Sequence, residues 1–254
     1  MRLLLTNDDG ISSPGLRLLA DKFRAIGHSV LIVAPASDQS GVSHSVTFLS
    51  KPCKLAEIDS NTWSCEGTPV DCVILALKGR FHEFCRTEKD SAPPFDVIIS
   101  GINCGANLGT DIVYSGTAAA ARQGALNGIP SLALSLAGSE PWNWEAAVSF
   151  SAENLEKMLA YWKPGVFINV NIPNIGKKQL TLLHAFPSLR YYNDSVEIFH
   201  APDNFRYCFT QSRQSKAKPE KGSDYEAVGE QCASLSEIYI HPVLFESVVK
   251  NGGV

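Results

Sequence analysis

Two adjacent carboxylates, Asp8 and Asp9, stand in the run Thr6-Asn7-Asp8-Asp9-Gly10, directly after a short apolar stretch at 2–6. Neighbouring carboxylates at the end of a hydrophobic strand repel each other unless a cation offsets them, so the pair is a candidate metal site. An Asp pair in a loop also serves as a solvated turn or a helix cap. Gly10 permits a tight turn, which gathers the polar groups where a parallel sheet places its ligands. A second polar loop, Pro35-Ala36-Ser37-Asp38-Gln39-Ser40-Gly41-Val42-Ser43, offers the Ser40 hydroxyl as a ligand oxygen. Taken alone, that loop reads equally as a hydrated Ser/Gly turn. A third, Ser100-Gly101-Ile102-Asn103-Cys104-Gly105-Ala106-Asn107-Leu108-Gly109, brings the amide oxygen of Asn103, and Tyr114-Ser115-Gly116-Thr117 then leads into a helix. Helix-start N–H groups favour a phosphate, although Ser115 and Thr117 suit ordinary capping as well. Two carboxylates, a hydroxyl and an amide oxygen, with no neighbouring His or Cys cluster, select magnesium, manganese or calcium over zinc.

The elements that must position these groups alternate. Residues 2–6 read as a buried strand. Ser13 and Pro14 start a helix whose apolar positions Leu16, Leu19, Ala20 and Phe23 share one face before a stop at Gly27. A β-rich run at 29–34 completes a right-handed βαβ unit with parallel strands. Strands at 95–100, 131–135 and 166–170 and helices at 70–77, 117–126 and 144–162 continue the alternation to about residue 172, and the class is α/β. Residues 46–65, with Pro52, read as an inserted hairpin or irregular excursion. After Pro173 the pattern changes to short β-rich pieces at 190–198, 205–210 and 237–240, with a polar stretch at 211–222. The chain therefore divides into a catalytic domain over 1–175 and a β-rich arm over 176–254, which packs on the domain or exchanges with another subunit.

With 254 residues, 44% of them hydrophobic, the chain can bury a sizeable core. Its formal charge of −4 gives no electrostatic footprint for a nucleic acid duplex or an anionic membrane. The N-terminal run is too short for a signal peptide and no segment approaches the roughly 20 apolar residues of a membrane span, so a cytoplasmic location is expected. Seven cysteines without a C-x-x-C pair read as reduced, mostly buried small hydrophobes.

The motifs T-N-D-D-G at 6–10, S-G-x-S at 40–43, G-T-P-x-D-C-V at 67–73, S-G-I-N-x-G-x-N at 100–107, Y-S-G-T at 114–117 and D-Y-E-A-V at 224–228 resemble the survival protein SurE nucleotidases. The likeness spans nearly the whole chain in order. It implies a Rossmann-like three-layer domain with a mostly parallel sheet. It also implies a C-terminal arm exchanged in a homodimer or homotetramer, and a 5′- or 3′-nucleotidase that also acts on short polyphosphate. One divalent metal ion per subunit, Mg2+ or Mn2+ with Ca2+ as an alternative bound species, falls on Asp8, Asp9, Ser40 and Asn103. One departure stands out: the position before Ser40, commonly Arg in the family, is Gln39 here.

On this reading Asp8, Asp9 and Asn103 are catalytic. Asp8, with a free oxygen, is the expected proton acceptor, while Asn107, Ser115, Gly116 and Thr117 hold phosphoryl oxygens and Ser43 joins the substrate-binding set. His44 reads as a surface histidine rather than a general acid, Asp71 as a structural residue at a helix start, and Gly67 to Pro69 as a possible wall of a nucleoside pocket. Trp142, Trp144 and Trp162 read as core or interface residues. Two rivals remain open: a noncatalytic nucleotide sensor, and a metal-dependent glycosyl or nucleotidyl transferase.

Overall fold

The computed structural model describes residues 1–82, 84, 93–176, 180–202, 204–217 and 220–242, with the backbone alone at 193 and 211–217. Strand β1 (Arg2–Thr6) pairs in parallel with β2 (Ser29–Pro35) on one side and β5 (Val97–Cys104) on the other. The remaining strands are β3 (Leu55–Asp59), β4 (Thr62–Cys65), β6 (Ser131–Ala137), β7 (Val166–Pro173), β8 (Leu182–His184), β9 (Arg190–His200), β10 (Arg206–Ala217) and β11 (Ala233–Tyr239). They form a nine-stranded sheet in the order β3-β4-β2-β1-β5-β6-β7-β11-β8 and a separate two-stranded ribbon, β9-β10. From β4 to β7 the sheet is parallel, whereas β3 and β11 run antiparallel to β4 and β7.

Side-chain alternation along β1 builds the three layers. Leu3 and Leu5 point to one face and join Leu16, Leu19 and Phe23 of helix α1 (Pro14–Ala25). Leu4 points to the other face and joins Cys72, Val73 and Ala76 of α2 (Pro69–Lys78) and Ala120 of α3 (Gly116–Leu126). Each of these leucines is fully buried, so each contributes about 2 kcal/mol of transfer free energy. The α1 layer also includes α4 (Trp144–Glu153) and α5 (Leu155–Leu159). Trp142, Trp144 and Trp162 pack against that core, as expected of core residues.

Several sequence expectations shift. The strand expected at 95–100 runs to Cys104, so half of the glycine-rich loop is strand, with an irregularity between Ser100 and Asn103. The single helix expected at 144–162 breaks at Asn154, whose Nδ2 donates to the Phe150 carbonyl at 2.9 Å and competes with the helix for that acceptor. The excursion at 46–65 contains the β3-β4 hairpin, but β4 pairs in parallel with β2 and widens the main sheet. Of the expected arm over 176–254, β8, helix α6 (Asp224–Gly229) and β11 belong to the main body, and β9-β10 is the part outside the main sheet. Its strand β10 extends to Ala217, into the polar stretch at 211–222; residues 243–254 lie outside the described ones. Cys65 and Cys72 are buried, but Cys104 and Cys208 are exposed, so the cysteines are not mostly buried; Cys85 lies outside the described residues. Among the described residues no helix is long and apolar enough to cross a membrane.

Candidate active site

The ends of β1, β2 and β5 and the start of α3 converge at the carboxyl edge of the parallel strands, where open α/β sheets bind ligands. Asp8 and Asp9 leave β1 at its end. The Asp8 side chain is buried, and both its oxygens are held by one residue: Thr117 N–H donates to Oδ2 at 3.0 Å and the Thr117 hydroxyl donates to Oδ1. Gly116 makes this approach possible, because a Cβ there would lie 2.8 Å from the Asp8 Cβ and 3.0 Å from Oδ2. Asp9 is half-buried and its Oδ2 accepts from the Cys104 N–H at 3.2 Å.

The electrostatics are those of an uncompensated pair. Burial raises the Asp8 carboxyl above its ordinary range, against the opposing pull of the two Thr117 bonds. Burial first, and then the Asp8 charge, push Asp9 up to about 6. Asp38, in the second loop, adds to the repulsion on both. A hard cation relieves such a pair, and the nearby neutral donors are oxygens, so the residues fit the divalent ion expected of them. Among the described residues no three His, Cys, Asp or Glu side chains form a metal cluster, and the further oxygens expected from the sequence are those of Ser40 and Asn103.

The second loop is fastened to this place. Gln39 N–H donates to the Asp8 carbonyl at 2.7 Å, which brings Ser40 beside the pair. The Ser40 hydroxyl and N–H both bond Asp38 Oδ1, at 2.6 and 2.8 Å, so Asp38 orients the hydroxyl and leaves its lone pairs for another partner. Asn103 follows the same logic: Nδ2 donates to the Gly105 carbonyl at 2.9 Å, which turns Oδ1 away from that contact. Ser43 is drawn to the α3 approach, its hydroxyl on the Val113 carbonyl at 2.7 Å and its N–H on the Tyr114 carbonyl at 3.0 Å.

Four assignments change with the geometry. Asp8 has no free oxygen of the kind a proton acceptor was expected to need, whereas Asp9 Oδ1 accepts no hydrogen bond from the described residues. Thr117 spends its N–H and hydroxyl on Asp8, and it is Ser115 that caps α3 by accepting from Ala118 N–H at 3.0 Å. Asn107 is turned into the sheet edge: Nδ2 donates to Ser135 Oγ at 2.9 Å, and its backbone is gripped by the Asn169 and Asn171 side chains of β7. Gly116 N–H, at the first position of α3, remains directed out of the helix start. His44 is half-buried rather than a surface residue, with Nε2 3.1 Å from Gln123 Oε1, and burial lowers its pKa. Asp71 is structural as expected, forming a capping box with Thr68 and accepting from Thr47 N–H. Asp38, Asn169, Asn171 and Ser135 were not singled out from the sequence; only Asp38, two residues before Ser40, carried a local signal.

A cleft of about 280 Å3 opens along the second loop, lined by Ser37, Gln39, Thr47, Lys51, Glu66 and Gly67 among others; the acidic pair is not in its lining, and its link to the pair is the Gln39 N–H bond to the Asp8 carbonyl. Gly67 of the expected nucleoside wall is part of it. A second cleft of about 290 Å3, with Arg17, Asp21, Arg24 and Asp59, lies against α1 and does not include the acidic pair.

Comparison with known proteins follows the same residues. The family described as Survival protein SurE matches residues 3–192. A 5′-nucleotidase SurE from Brucella anthropi is 35% identical over 247 residues, covering 94% of this chain and 92% of the relative. Another, from Thermosynechococcus vestitus, is 35% identical over 251 residues, covering 94% and 90%. The crystal structure of the SurE protein from Aquifex aeolicus superposes with a TM-score of 0.80 at 32% identity, covering 99% of this chain and 98% of that one. A mostly parallel sheet between two helical layers, ending in the paired acids of β1, and these matches along almost all of its length place the chain in the SurE survival protein family.

Proposed function

We propose that this chain is a divalent-metal-dependent phosphomonoesterase that hydrolyses nucleoside 5′- and 3′-monophosphates to nucleoside and phosphate, with short polyphosphate as a further substrate. The observation that carries the reading is the Asp8–Asp9 pair, Asp8 buried and Asp9 half-buried, with like charges side by side at the start of α3. The name 5′-nucleotidase borne by the relatives from Brucella anthropi and Thermosynechococcus vestitus supports the substrate class.

Asp8, Asp9, Ser40 and Asn103 would hold one Mg2+ or Mn2+ per subunit. When bound, that ion neutralises phosphoryl charge and lowers the pKa of a water molecule. The chain's own groups do the rest. Thr117 fixes the Asp8 carboxylate so that it does not swing with the substrate. Asp9 Oδ1, which accepts from no donor among the described residues, is better placed than Asp8 to take the proton of the attacking water. Gly116 N–H, with the dipole of α3 behind it, and the Ser115 hydroxyl face the phosphoryl oxygens. The cleft beside Gln39 receives the nucleoside, and Lys51 supplies a cation on that wall where the family's usual arginine is Gln39. The exposed β9-β10 ribbon is the arm through which the subunits form a homodimer or homotetramer.

The test is release of inorganic phosphate from a panel of nucleoside 5′- and 3′-monophosphates with and without Mg2+ or Mn2+. Activity is expected only with metal, and Asp9→Asn is expected to abolish it. Full activity in that variant would refute the role given to the acidic pair; no activity in the parent with either ion would refute the phosphomonoesterase reading and favour a nucleotide sensor.

A further inference from the structure

The 3-10 turn Gly109–Val113, followed by Tyr114, joins the loop ending at Asn107 to the start of α3. Of the residues assigned to chemistry, Ser43 and Ser115 touch this stretch, and it is also tied down from the C-terminal part of the chain. Asp224, fully buried at the start of α6, accepts from Gly109 N–H at 2.7 Å and from Ser188 N–H at 2.8 Å. Thr110 Oγ1 accepts from Arg190 N–H at 2.9 Å. Asp111 accepts the Arg190 guanidinium on Oδ2 and the Tyr192 hydroxyl on Oδ1. The Tyr192 ring meets Tyr114 edge-on, with centroids 5.8 Å apart.

Arg190 and Tyr192 are the foot of β9, where the ribbon leaves the body. From Asp111 the connection to the candidate site is short. The Asp111 carbonyl accepts from Tyr114 N–H at 3.0 Å and from Ser115 N–H at 3.1 Å. Ser115 caps α3, and Thr117, two residues on, holds both oxygens of Asp8. A shift of the turn therefore becomes a shift of the helix start and of the carboxylate.

We propose that Asp111, gripped by Arg190 and Tyr192, is a positioning residue through which the foot of the β9-β10 ribbon holds the α3 start and Asp8 in register for catalysis. This inference rests on the phosphomonoesterase reading for its activity readout. The grip from Asp224 sets where the turn begins; the grip on Asp111 sets how it presents Ser115. Misplacement of a reacting group by about 1 Å is enough to cost up to 100-fold in rate, so a modest loosening of the turn is visible in kcat. Tyr192 is partly exposed, and removing its hydroxyl leaves no buried cavity, so a purely structural role predicts almost no change in rate.

The experiment compares Arg190→Gln, Arg190→Lys, Tyr192→Phe and Tyr191→Ala, the last a more exposed neighbour on the same strand. For each, kcat and KM are measured on a nucleoside monophosphate with Mg2+ or Mn2+, together with Tm and amide hydrogen exchange over residues 108–118. Arg190→Gln is expected to lower kcat about tenfold with KM and Tm nearly unchanged, and to speed exchange over 108–118 alone. Tyr192→Phe should show a smaller loss in the same direction, Arg190→Lys should recover part of kcat, and Tyr191→Ala should match the parent. Parental kcat and exchange in Arg190→Gln would overturn the proposal, as would an equal loss in Tyr191→Ala. If the parent hydrolyses no phosphomonoester, the functional reading fails, and exchange over 108–118 still decides the positioning: faster in Arg190→Gln supports it, unchanged overturns it.

Discussion

At the carboxyl edge of the sheet, polar and charged groups are buried: Asp8, Asn107 and Thr117 lie below the surface, and most of their hydrogen-bonding capacity is taken by named partners. On the β9-β10 ribbon the reverse holds, with Val196, Ile198, Phe199, Tyr207 and Phe209 all more than half exposed. Each arrangement is costly for an isolated chain, since buried like charges repel and a two-stranded ribbon buries little of its own apolar surface. The contrast separates two kinds of incompleteness. The sheet edge is short of positive charge, which the proposed cation would supply; the ribbon is short of cover, which a second subunit would supply in the proposed assembly. The foot of β9 is where the two regions meet.

The sharpest way to break the contrast is at that junction. Gly109 has φ +53°, and a Cβ there would sit 1.9 Å from the Ser188 carbonyl oxygen. Gly109→Val is expected to destabilise the chain by on the order of 4 kcal/mol through the left-handed backbone and the collision together, read as a fall in the urea midpoint. An unchanged midpoint would mean that the ribbon foot does not press on the turn at all. One step further into the site, Gly116→Ala puts a methyl against Asp8 without demanding an unusual backbone. A kcat roughly 100-fold lower with Tm within a few degrees is the expected result, because the substitution misplaces a carboxylate rather than opening a cavity. Loss of fold without separable loss of rate would make Asp8 a structural residue.

The charge shortage at the sheet edge has a signature in pH. Asp8 and Asp9 have folded-state pKa values raised above the 3.8 of an unperturbed carboxyl, Asp9 to about 6. A raised acid makes the folded state bind more protons than the unfolded one, so the stability it contributes is full below about 4 and is lost as pH rises through about 6. The metal-free protein should therefore lose Tm from this source between pH 4 and 6.5. Asp9→Asn should remove the Asp9 share of that slope and melt higher than the parent at pH 7. Adding Mn2+ at pH 7 should raise the Tm of the parent and not of the variant. A parent whose Tm at pH 7 ignores Mn2+ would show that the pair does not take a cation.

The same contrast governs what the sequence made legible. Alternating apolar runs with capped helices gave the α/β layers, since each element buries a face set by its own period. The pair Asp8-Asp9 and the loops of Ser40 and Asn103 were readable because consecutive parallel strands deliver their carboxyl ends to one edge. Asn107 was not readable. Its partners Asn169 and Asn171 come from β7, 62 and 64 residues onward, and nothing local says that a loop asparagine turns inward. Asp111 likewise meets Arg190 79 residues away, so only the folded chain joins them. The helix break at Asn154 was missed because apolar spacing continues into Leu155 and Met158 on the same core, while the competing side-chain bond to Phe150 leaves no mark on that spacing.

The smallest expected effect sharpens the other half of the contrast. Phe199 and Phe209 face each other across the ribbon, in an edge-to-face contact of 5.5 Å, with 55% and 56% of their surface exposed. An aromatic pair of this kind adds about 1 kcal/mol beyond the area it buries, and most of the area here is not buried within the chain. Phe199→Ala is therefore expected to lower Tm by only a few degrees at high protein concentration, with kcat per subunit close to the parent. The midpoint of subunit dissociation in a dilution series should rise severalfold, because in the proposed assembly the lost ring surface lies in the contact between chains. If dilution leaves the mass measured by light scattering unchanged in parent and variant while Tm falls sharply, the rings serve the single chain. The exposed face would then not be an assembly surface, and the likeness between a missing cation and a missing subunit would no longer hold.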